Sequence, residues 1–215
     1  MNKYRILKPD QSYTFSQYFL LPNPTIDVLA EFDYSYDRTE LELPKYFGEL
    51  SYLEFLQNYL RRNIKLFNPS AEISIREFLI APIFAEICAQ TKAKLYSEYP
   101  IHVNEKLKGT FDYYLHQSNS LLVIEAKQSD IRRGFTQLAV ELIALDQSLD
   151  NQSGILYGAV TNGDDWKFGI LHRENKQVTE DIKLYRVPEG LEDLVRVLVG
   201  ILSSEDLEAM PTTLN

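Results

Sequence analysis

Apolar residues recur at intervals of three and four in four stretches of the chain, the spacing of an amphipathic helix. The stretches cover residues 49–66, residues 68–91 with Asn68 as a favourable N-cap, residues 130–149, and a last segment that begins after Pro188. The third stretch is the most regular, with an apolar residue at nearly every expected position. This pattern predicts four main helices.

Short runs that are rich in β-branched and aromatic residues separate the later helices, and such runs favour strands. The predicted strands are residues 94–103, 110–115, 121–126, 154–160, 166–171 and 182–187. Turn-forming residues occupy 117–120 and 162–165, between neighbouring strands. A helix, three strands, a helix and a further strand, in that order, predict an α/β protein with a mixed sheet and helices on both faces.

The first part of the chain is rich in tyrosine, phenylalanine and proline and shows little periodicity. Residues 26–29 are compatible with a short helix, and residues 41–43 with a short strand. We predict that residues 1–68 form an N-terminal extension packed on a main domain of residues 69–203. Residues 204–215 are expected to form a loose tail.

The composition of the chain limits the classes of protein to which it can belong. The chain has 215 residues, of which 45% are hydrophobic and 25% charged, as in an ordinary globular protein with a sizeable core. It shows no leader-like or membrane-spanning run, so we expect a cytoplasmic protein that makes no membrane contact. A single cysteine, Cys88, and three histidines without ligand spacing argue against a disulfide framework and a zinc site.

A predicted hairpin brings three charged residues into one small region. If the turn is centred between Ser118 and Asn119, Asp112 lies directly opposite Glu125. Lys127 shares the face of Glu125, because side chains two residues apart on a strand point the same way. Two opposed carboxylates in apolar surroundings call for a cation, and magnesium, or manganese in its place, prefers such oxygen ligands. The simpler interpretation is a solvated strand edge with a surface ion pair.

Two predicted helices add polar residues to this set. Gly134, Gln137 and Glu141 form a stripe beside the apolar face of the third helix, and from the helix alone a solvated flank is the simpler interpretation. Glu86 lies on the apolar stripe of the second helix, where a carboxylate needs a metal ion or a basic partner. Glu77 is the competing acid of the same helix.

Three segments resemble the PD-(D/E)XK nuclease superfamily, which has the restriction-endonuclease-like fold. They are Gly109-Thr110-Phe111-Asp112, Val123-Ile124-Glu125-Ala126-Lys127 and Gly134-Phe135-Thr136-Gln137-Leu138. Residues 158–168 are similar to a strand–turn–strand segment in the nuclease domains of type I restriction enzyme R subunits. The resemblance covers about residues 70–187. Its motifs are short and degenerate, and Phe111 stands where the name of the superfamily has proline.

The resemblance implies a restriction-endonuclease-like sheet with an αβββαβ core. The implied catalytic residues are Asp112, Glu125, Lys127 and Gln137, and the implied metal ligands are Asp112, Glu125 and Glu86. The expected function is Mg²⁺-dependent hydrolysis of nucleic acid, with DNA as the first candidate, RNA still open, and a homodimer as an arrangement common among relatives. The net charge of −9 favours an alternative, a non-catalytic module of this fold that binds nucleic acid or protein. A third hypothesis is an assembly protein that uses its aromatic N-terminal region as an interface.

Overall fold

The computed structural model describes residues 5–66, 71–117, 120–126, 130–150 and 154–203. The helices in these ranges are α1 (Phe15–Phe19), α2 (Thr25–Ala30), α3 (Leu53–Leu66), α4 (Glu72–Ile75), α5 (Ala81–Thr91), α6 (Ile131–Ser148) and α7 (Leu191–Leu202). The strands are β1 (Ser35–Thr39), β2 (Lys94–Asn104), β3 (Leu107–Gln117), β4 (Ser120–Ala126), β5 (Ile155–Thr161), β6 (Asp165–His172), β7 (Gln177–Asp181) and β8 (Tyr185–Arg186). A π-helical turn, Arg76–Ile80, connects α4 to α5.

The eight strands in the described ranges form one mixed sheet. Its order is β1-β7-β6-β5-β4-β3-β2, and β8 pairs with β6. Strands β4 and β5 are parallel and are connected through α6, whereas β2, β3 and β4 form an antiparallel meander. The predicted α/β class with a mixed sheet is therefore confirmed.

Helices cover both faces of the sheet. Helix α6 packs on one face, which we call the α6 face, together with the N-terminal α1 and α2. Helices α3, α5 and α7 pack on the opposite face, the α7 face. Because successive strand side chains point to opposite sides, Val123 belongs to the core of the α6 face and Ile124 to that of the α7 face.

A pair of glycines brings α6 close to the sheet. Gly158 and Gly169 lie opposite each other in the β5–β6 ladder. A Cβ atom on Gly158 would lie 2.9 Å from Leu138, and one on Gly169 would lie 2.6 Å from the ring of Phe135. The absence of these side chains allows the close approach, which also brings the polar residues of α6 against β4.

The second predicted helix is interrupted, and Pro82 supplies the reason. Proline has no N–H group, and its ring collides with the carbonyl four residues earlier, here that of Phe78. The chain widens into the π-helical turn at this point, and Asn63 Nδ2 donates a 3.1 Å hydrogen bond to the Phe78 carbonyl. The predicted cap Asn68 lies outside the described residues.

Other differences from the predicted elements lie at the sheet edges. Residues 41–43 are not a strand; the N-terminal segment instead contributes β1, which pairs in parallel with β7. Strand β7 was not predicted, and the strand expected at residues 182–187 is reduced to the two residues of β8. The predicted tail lies outside the described residues. None of the described helices combines the length and the hydropathy that a membrane span requires.

Candidate functional site

The β3–β4 hairpin has the predicted register. Its ladder runs from Gln117 opposite Ser120 to Tyr113 opposite Ile124. Asp112 is the next residue along β3, and its carboxylate oxygen Oδ2 accepts a 2.8 Å hydrogen bond from the backbone N–H of Ala126. The side chain of Asp112 therefore lies against the end of β4, where Glu125 is located.

Glu125 points into the interface between the sheet and α6. Its side chain is buried, and Gln137 Nε2 donates a 2.7 Å hydrogen bond to its Oε1 atom. The same amide nitrogen donates a 2.8 Å hydrogen bond to Glu141 Oε1, one helical turn further along α6. One amide thus connects two carboxyl groups. We call Asp112, Glu125, Gln137 and Glu141 the polar cluster.

Burial and charge act together on Glu141, which is completely buried. Desolvation raises the pKa of its carboxyl well above the usual range, the negative charge of Glu125 raises it further, and Asp112 adds a smaller contribution. The hydrogen bond from Gln137 opposes this shift. The raised pKa favours the protonated form of Glu141, in which its carboxyl can donate a hydrogen bond to Glu125.

Two oxygen atoms of the polar cluster have no hydrogen-bond partner among the described residues. They are Glu141 Oε2 and Gln137 Oε1, and both are buried. Buried polar atoms in native proteins are nearly always paired, so such atoms call for an explanation. A site that receives a ligand or an ion is one explanation, and a proton on Glu141, which its raised pKa favours, is another explanation for one of the two atoms.

Arg76 reaches the polar cluster from the π-helical turn on the α7 face. Its Nη1 atom lies 3.3 Å from Asp112 Oδ1 and also forms an ion pair with Glu98 of β2. The guanidinium stacks over the ring of Tyr113 with its central carbon 5.1 Å from the ring centroid. Arg76 was not identified from the sequence, although Pro82, which disrupts the helix six residues later, is a signal that this turn is irregular.

The structure does not bring Glu86 to the polar cluster. Glu86 lies on α5, on the α7 face, and acts on Tyr52, whose pKa is raised to about 12 by burial first and by Glu86 second. Glu77, the competing acid, is exposed and lies close enough to Tyr113 to contribute to its raised pKa, after burial and the charge of Asp112. Lys127 lies outside the described residues.

The stripe of Gly134, Gln137 and Glu141 is not a solvated flank. All three residues are buried between α6 and the sheet, so the simpler interpretation of the helix pattern is wrong. Helical periodicity could not show this, because β4 supplies the acid that these residues face. The structure places Gln137, a predicted site residue, in a hydrogen bond with Glu125.

The described residues contain no group of three or more histidine, cysteine, aspartate or glutamate side chains placed to hold a metal ion. The chain has no match among protein families, curated proteins or solved structures.

Proposed function

We propose that this protein is a metal-dependent nuclease that hydrolyses phosphodiester bonds, with Asp112 and Glu125 as its metal ligands. The proposal includes DNA as the first substrate class, a cytoplasmic setting and a homodimeric assembly. The observation that carries it is the contact of two buried acids, Glu125 and Glu141, through a single amide beside a third acid, Asp112. Such an arrangement costs folding free energy, and perturbed carboxyls of this kind are concentrated at functional sites.

The donor set suits a hard divalent cation. Mg²⁺ typically uses one or two protein carboxylates and completes its coordination with water and substrate phosphate. Asp112 in the middle of β3 and Glu125 near the end of β4 supply two such groups on neighbouring strands, so a third acidic ligand is not required. The buried carboxyl of Glu141, joined to Glu125 through the amide of Gln137, lies beside them.

Each residue has a separate task in this proposal. The cation, when bound, supplies Lewis-acid chemistry at the phosphoryl group. Gln137 holds the carboxylate of Glu125 in one orientation and is a positioning residue. Arg76 reduces the negative charge around Asp112 and can neutralise an incoming phosphate. Lys127, two residues after Glu125, is proposed as the catalytic lysine from the sequence motif alone.

The order of elements from α5 to β5 supports the same proposal. A helix, an antiparallel meander of β2, β3 and β4, helix α6 and a parallel β5 follow one another along the chain. We infer that these elements form the αβββαβ core expected of a restriction-endonuclease-like protein.

One observation favours a second candidate, a non-catalytic module of the same fold. Asp112 already accepts hydrogen bonds from Ala126 N–H and from Arg76. A carboxylate held in this way can be purely structural, and the net charge of −9 disfavours attraction to nucleic acid. In this second candidate, Asp112 connects β3 to the π-helical turn through its contact with Arg76, and no cation binds.

Cleavage assays with a matched pair of variants separate the two candidates. The purified protein is incubated with linear, supercoiled and single-stranded DNA and with RNA, in Mg²⁺, Mn²⁺ or EDTA. Asp112→Asn is compared with Asp165→Asn, because both aspartates lie on strands beside an arginine, and their side chains are similarly shielded at 14% and 18% exposed. Lys127→Ala tests the motif lysine.

We expect cleavage that requires the metal ion, disappears in Asp112→Asn and Lys127→Ala, and persists in Asp165→Asn. If a folded wild-type protein cleaves none of the substrates, the nuclease proposal is wrong. Calorimetric titration with Mg²⁺ and Mn²⁺ then tests the second candidate, which predicts no binding that depends on Asp112.

A further inference from the structure

An aromatic cluster lies on the sheet beside the polar cluster. It consists of Tyr96 and Tyr99 from β2 and Tyr114 and His116 from β3. The ring centroids of the three tyrosines lie 5.0 to 6.0 Å apart. The ring of His116 is parallel to that of Tyr114 within 3° at a centroid distance of 6.5 Å.

The aromatic cluster shares the α6 face with the polar cluster. Tyr114 pairs with Val123, and directly opposite residues in an antiparallel ladder point to the same side. Val123 belongs to the core of the α6 face, as Glu125 does by the alternation of the strand. Asp112 and Tyr114 are two residues apart on β3, a separation of roughly 7 Å.

A left-handed residue in β2 completes the aromatic cluster. Tyr96 and Tyr99 are three positions apart and would lie on opposite sides of a regular strand. Glu98, between them, has a φ angle of 52°, which is uncommon for a residue other than glycine. The resulting change of direction brings Tyr99 to within 5.6 Å of Tyr96, between ring centroids. Glu98 also forms the ion pair with Arg76, so it connects this bend to Asp112.

A buried ring packs against the aromatic cluster, and two of its tyrosines remain accessible to solvent. Phe111 is fully buried and stacks against Tyr99 at a centroid distance of 6.3 Å. Tyr96 and Tyr99 remain 40% and 37% exposed, so both rings can be reached from solvent. Lys94 is exposed and lies directly opposite His116, which places a cation on the same face as the rings.

We propose that the aromatic cluster binds unpaired bases of a single-stranded nucleic acid and directs the adjoining backbone to Asp112 and Glu125. The proposal rests on the nuclease function proposed above and assigns it a substrate class, a single strand or an unpaired end. Aromatic side chains interleaved with cations are typical of proteins that bind single strands, since every base offers a face for stacking. A base in a duplex cannot stack on these rings without leaving its partner.

The charge of the protein agrees with binding through stacking. With a net charge of −9, and with Lys94 as an exposed cation beside the rings, we expect phosphate contacts to contribute little. Each phosphate contact to a single strand adds a slope of about −0.7 to the dependence of log affinity on log salt concentration. We therefore expect a shallow salt dependence together with a strong dependence on the presence of bases.

Binding is measured on the full chain carrying Glu125→Gln, in EDTA, so that no strand is cleaved. Fluorescence anisotropy compares a labelled oligothymidylate, an abasic strand of the same length and a hairpin duplex. We expect the oligothymidylate to bind on the order of tenfold more tightly than either of the others. A duplex or an abasic strand that binds as tightly as the oligothymidylate overturns the proposal.

Substitutions in the aromatic cluster test whether the bases stack on its tyrosines. Tyr96→Leu and Tyr99→Leu keep an apolar side chain and remove the ring, whereas Tyr96→Phe keeps the ring. Phe55→Leu is the matched control, because Phe55 is a 65% exposed ring on α3, away from the aromatic cluster. We expect each leucine variant of the cluster to lose about 5- to 150-fold in affinity for the oligothymidylate and none for the abasic strand. Equal losses in Phe55→Leu or in Tyr96→Phe contradict the assignment.

Cleavage by the chain with an intact Glu125 separates this inference from the nuclease proposal. If ring-dependent binding is observed but no strand is cleaved in Mg²⁺ or Mn²⁺, the aromatic cluster stands and the nuclease proposal fails. If cleavage requires Glu125 but neither cleavage nor binding depends on Tyr96 and Tyr99, the nuclease proposal stands and the aromatic cluster is not the substrate site.

Discussion

Helix α6 carries two buried polar groups that are built in opposite ways. Near its C-terminal end, Asp146 accepts a 2.7 Å hydrogen bond from Arg173 Nε and a 2.6 Å hydrogen bond from the hydroxyl of Tyr34. The buried carboxylate there is matched by a cation and a neutral donor. Near the middle of α6, Glu141 meets a second acid, Glu125, through the amide of Gln137.

The difference distinguishes a structural polar group from the group that we propose to be functional. Burying a charge is tolerated when a partner of opposite sign and further hydrogen bonds compensate it, as at Asp146. Two neighbouring acids do not compensate each other's buried charge. Their repulsion favours the protonated form of one of them, as the raised pKa of Glu141 indicates. We infer that the Asp146 group stabilises the fold, whereas the polar cluster lowers its stability and belongs to the proposed metal site.

The largest expected effect comes from Asp146→Asn. This substitution leaves the buried guanidinium of Arg173 facing an amide in place of a carboxylate, and breaking a buried ion pair typically costs about 3–5 kcal/mol. Urea unfolding followed by circular dichroism measures the loss. Asp150→Asn, an exposed aspartate just beyond α6, is the control and should change the unfolding free energy by less than about 0.5 kcal/mol. If Asp146→Asn loses no more unfolding free energy than Asp150→Asn, the Asp146 group does not stabilise the fold and the contrast with the polar cluster is wrong.

Glu125→Gln is expected to separate activity from stability. Loss of a proposed metal ligand should lower the cleavage rate by more than about 100-fold, since changes to residues that merely orient a ligand already cost about 10- to 100-fold. The thermal midpoint should stay the same or rise, because an acid–acid contact is removed. Cleavage rates and melting curves of the same preparation measure both. A variant that unfolds as easily as Asp146→Asn would assign Glu125 a structural role.

Gln137→Met removes the amide that connects the two acids and keeps a side chain of similar length. We expect the cleavage rate to fall by about 10- to 100-fold and the Mg²⁺ concentration for half-maximal activity to rise, because Glu125 loses its orientation. A metal titration of activity measures both. If the rate falls without a change in metal requirement, Gln137 does not position a ligand.

The smallest expected effect concerns pH and Glu141. A carboxyl with a raised pKa binds more protons in the folded than in the unfolded state, so it favours folding at low pH. This contribution is lost as the pH rises from the unfolded value of about 4.3, at up to about 1.4 kcal/mol per pH unit. Glu141→Gln should flatten that slope, as measured by urea unfolding at a series of pH values. An unchanged slope would show that Glu141 is not the group responsible.

Much of the chain's organisation could be predicted from local patterns. The hairpin register followed from the position of its turn, and α6 begins after Asp130, whose side chain accepts a hydrogen bond from Arg133 N–H. Both depend on residues that are close in sequence. Strand β7 was missed because its sequence, Gln177–Asp181, is polar and charged, although Glu180 and Asp181 are buried beside Lys167.

The surroundings of the proposed site could be predicted only in part. The sequence brought Asp112, Glu125 and Gln137 together by strand pairing and motif order, and the structure places their side chains around the end of β4. Glu86 was included in that set because of its helical phase and the resemblance to the nuclease superfamily. Its helix packs on the α7 face, and one apolar stripe cannot show which face of a sheet a helix will cover.

The sequence by itself determined the α/β class, the hairpin register and the position of α6, because periodicity and turn chemistry act over a few residues. Only the tertiary structure decided that Glu141 is buried against Glu125, that Arg76 reaches Asp112, and that a bend in β2 gathers exposed tyrosines beside them. The Arg76–Asp112 contact spans 36 positions of the chain. Such contacts depend on how helices pack across the sheet, which the local pattern of a single chain does not encode.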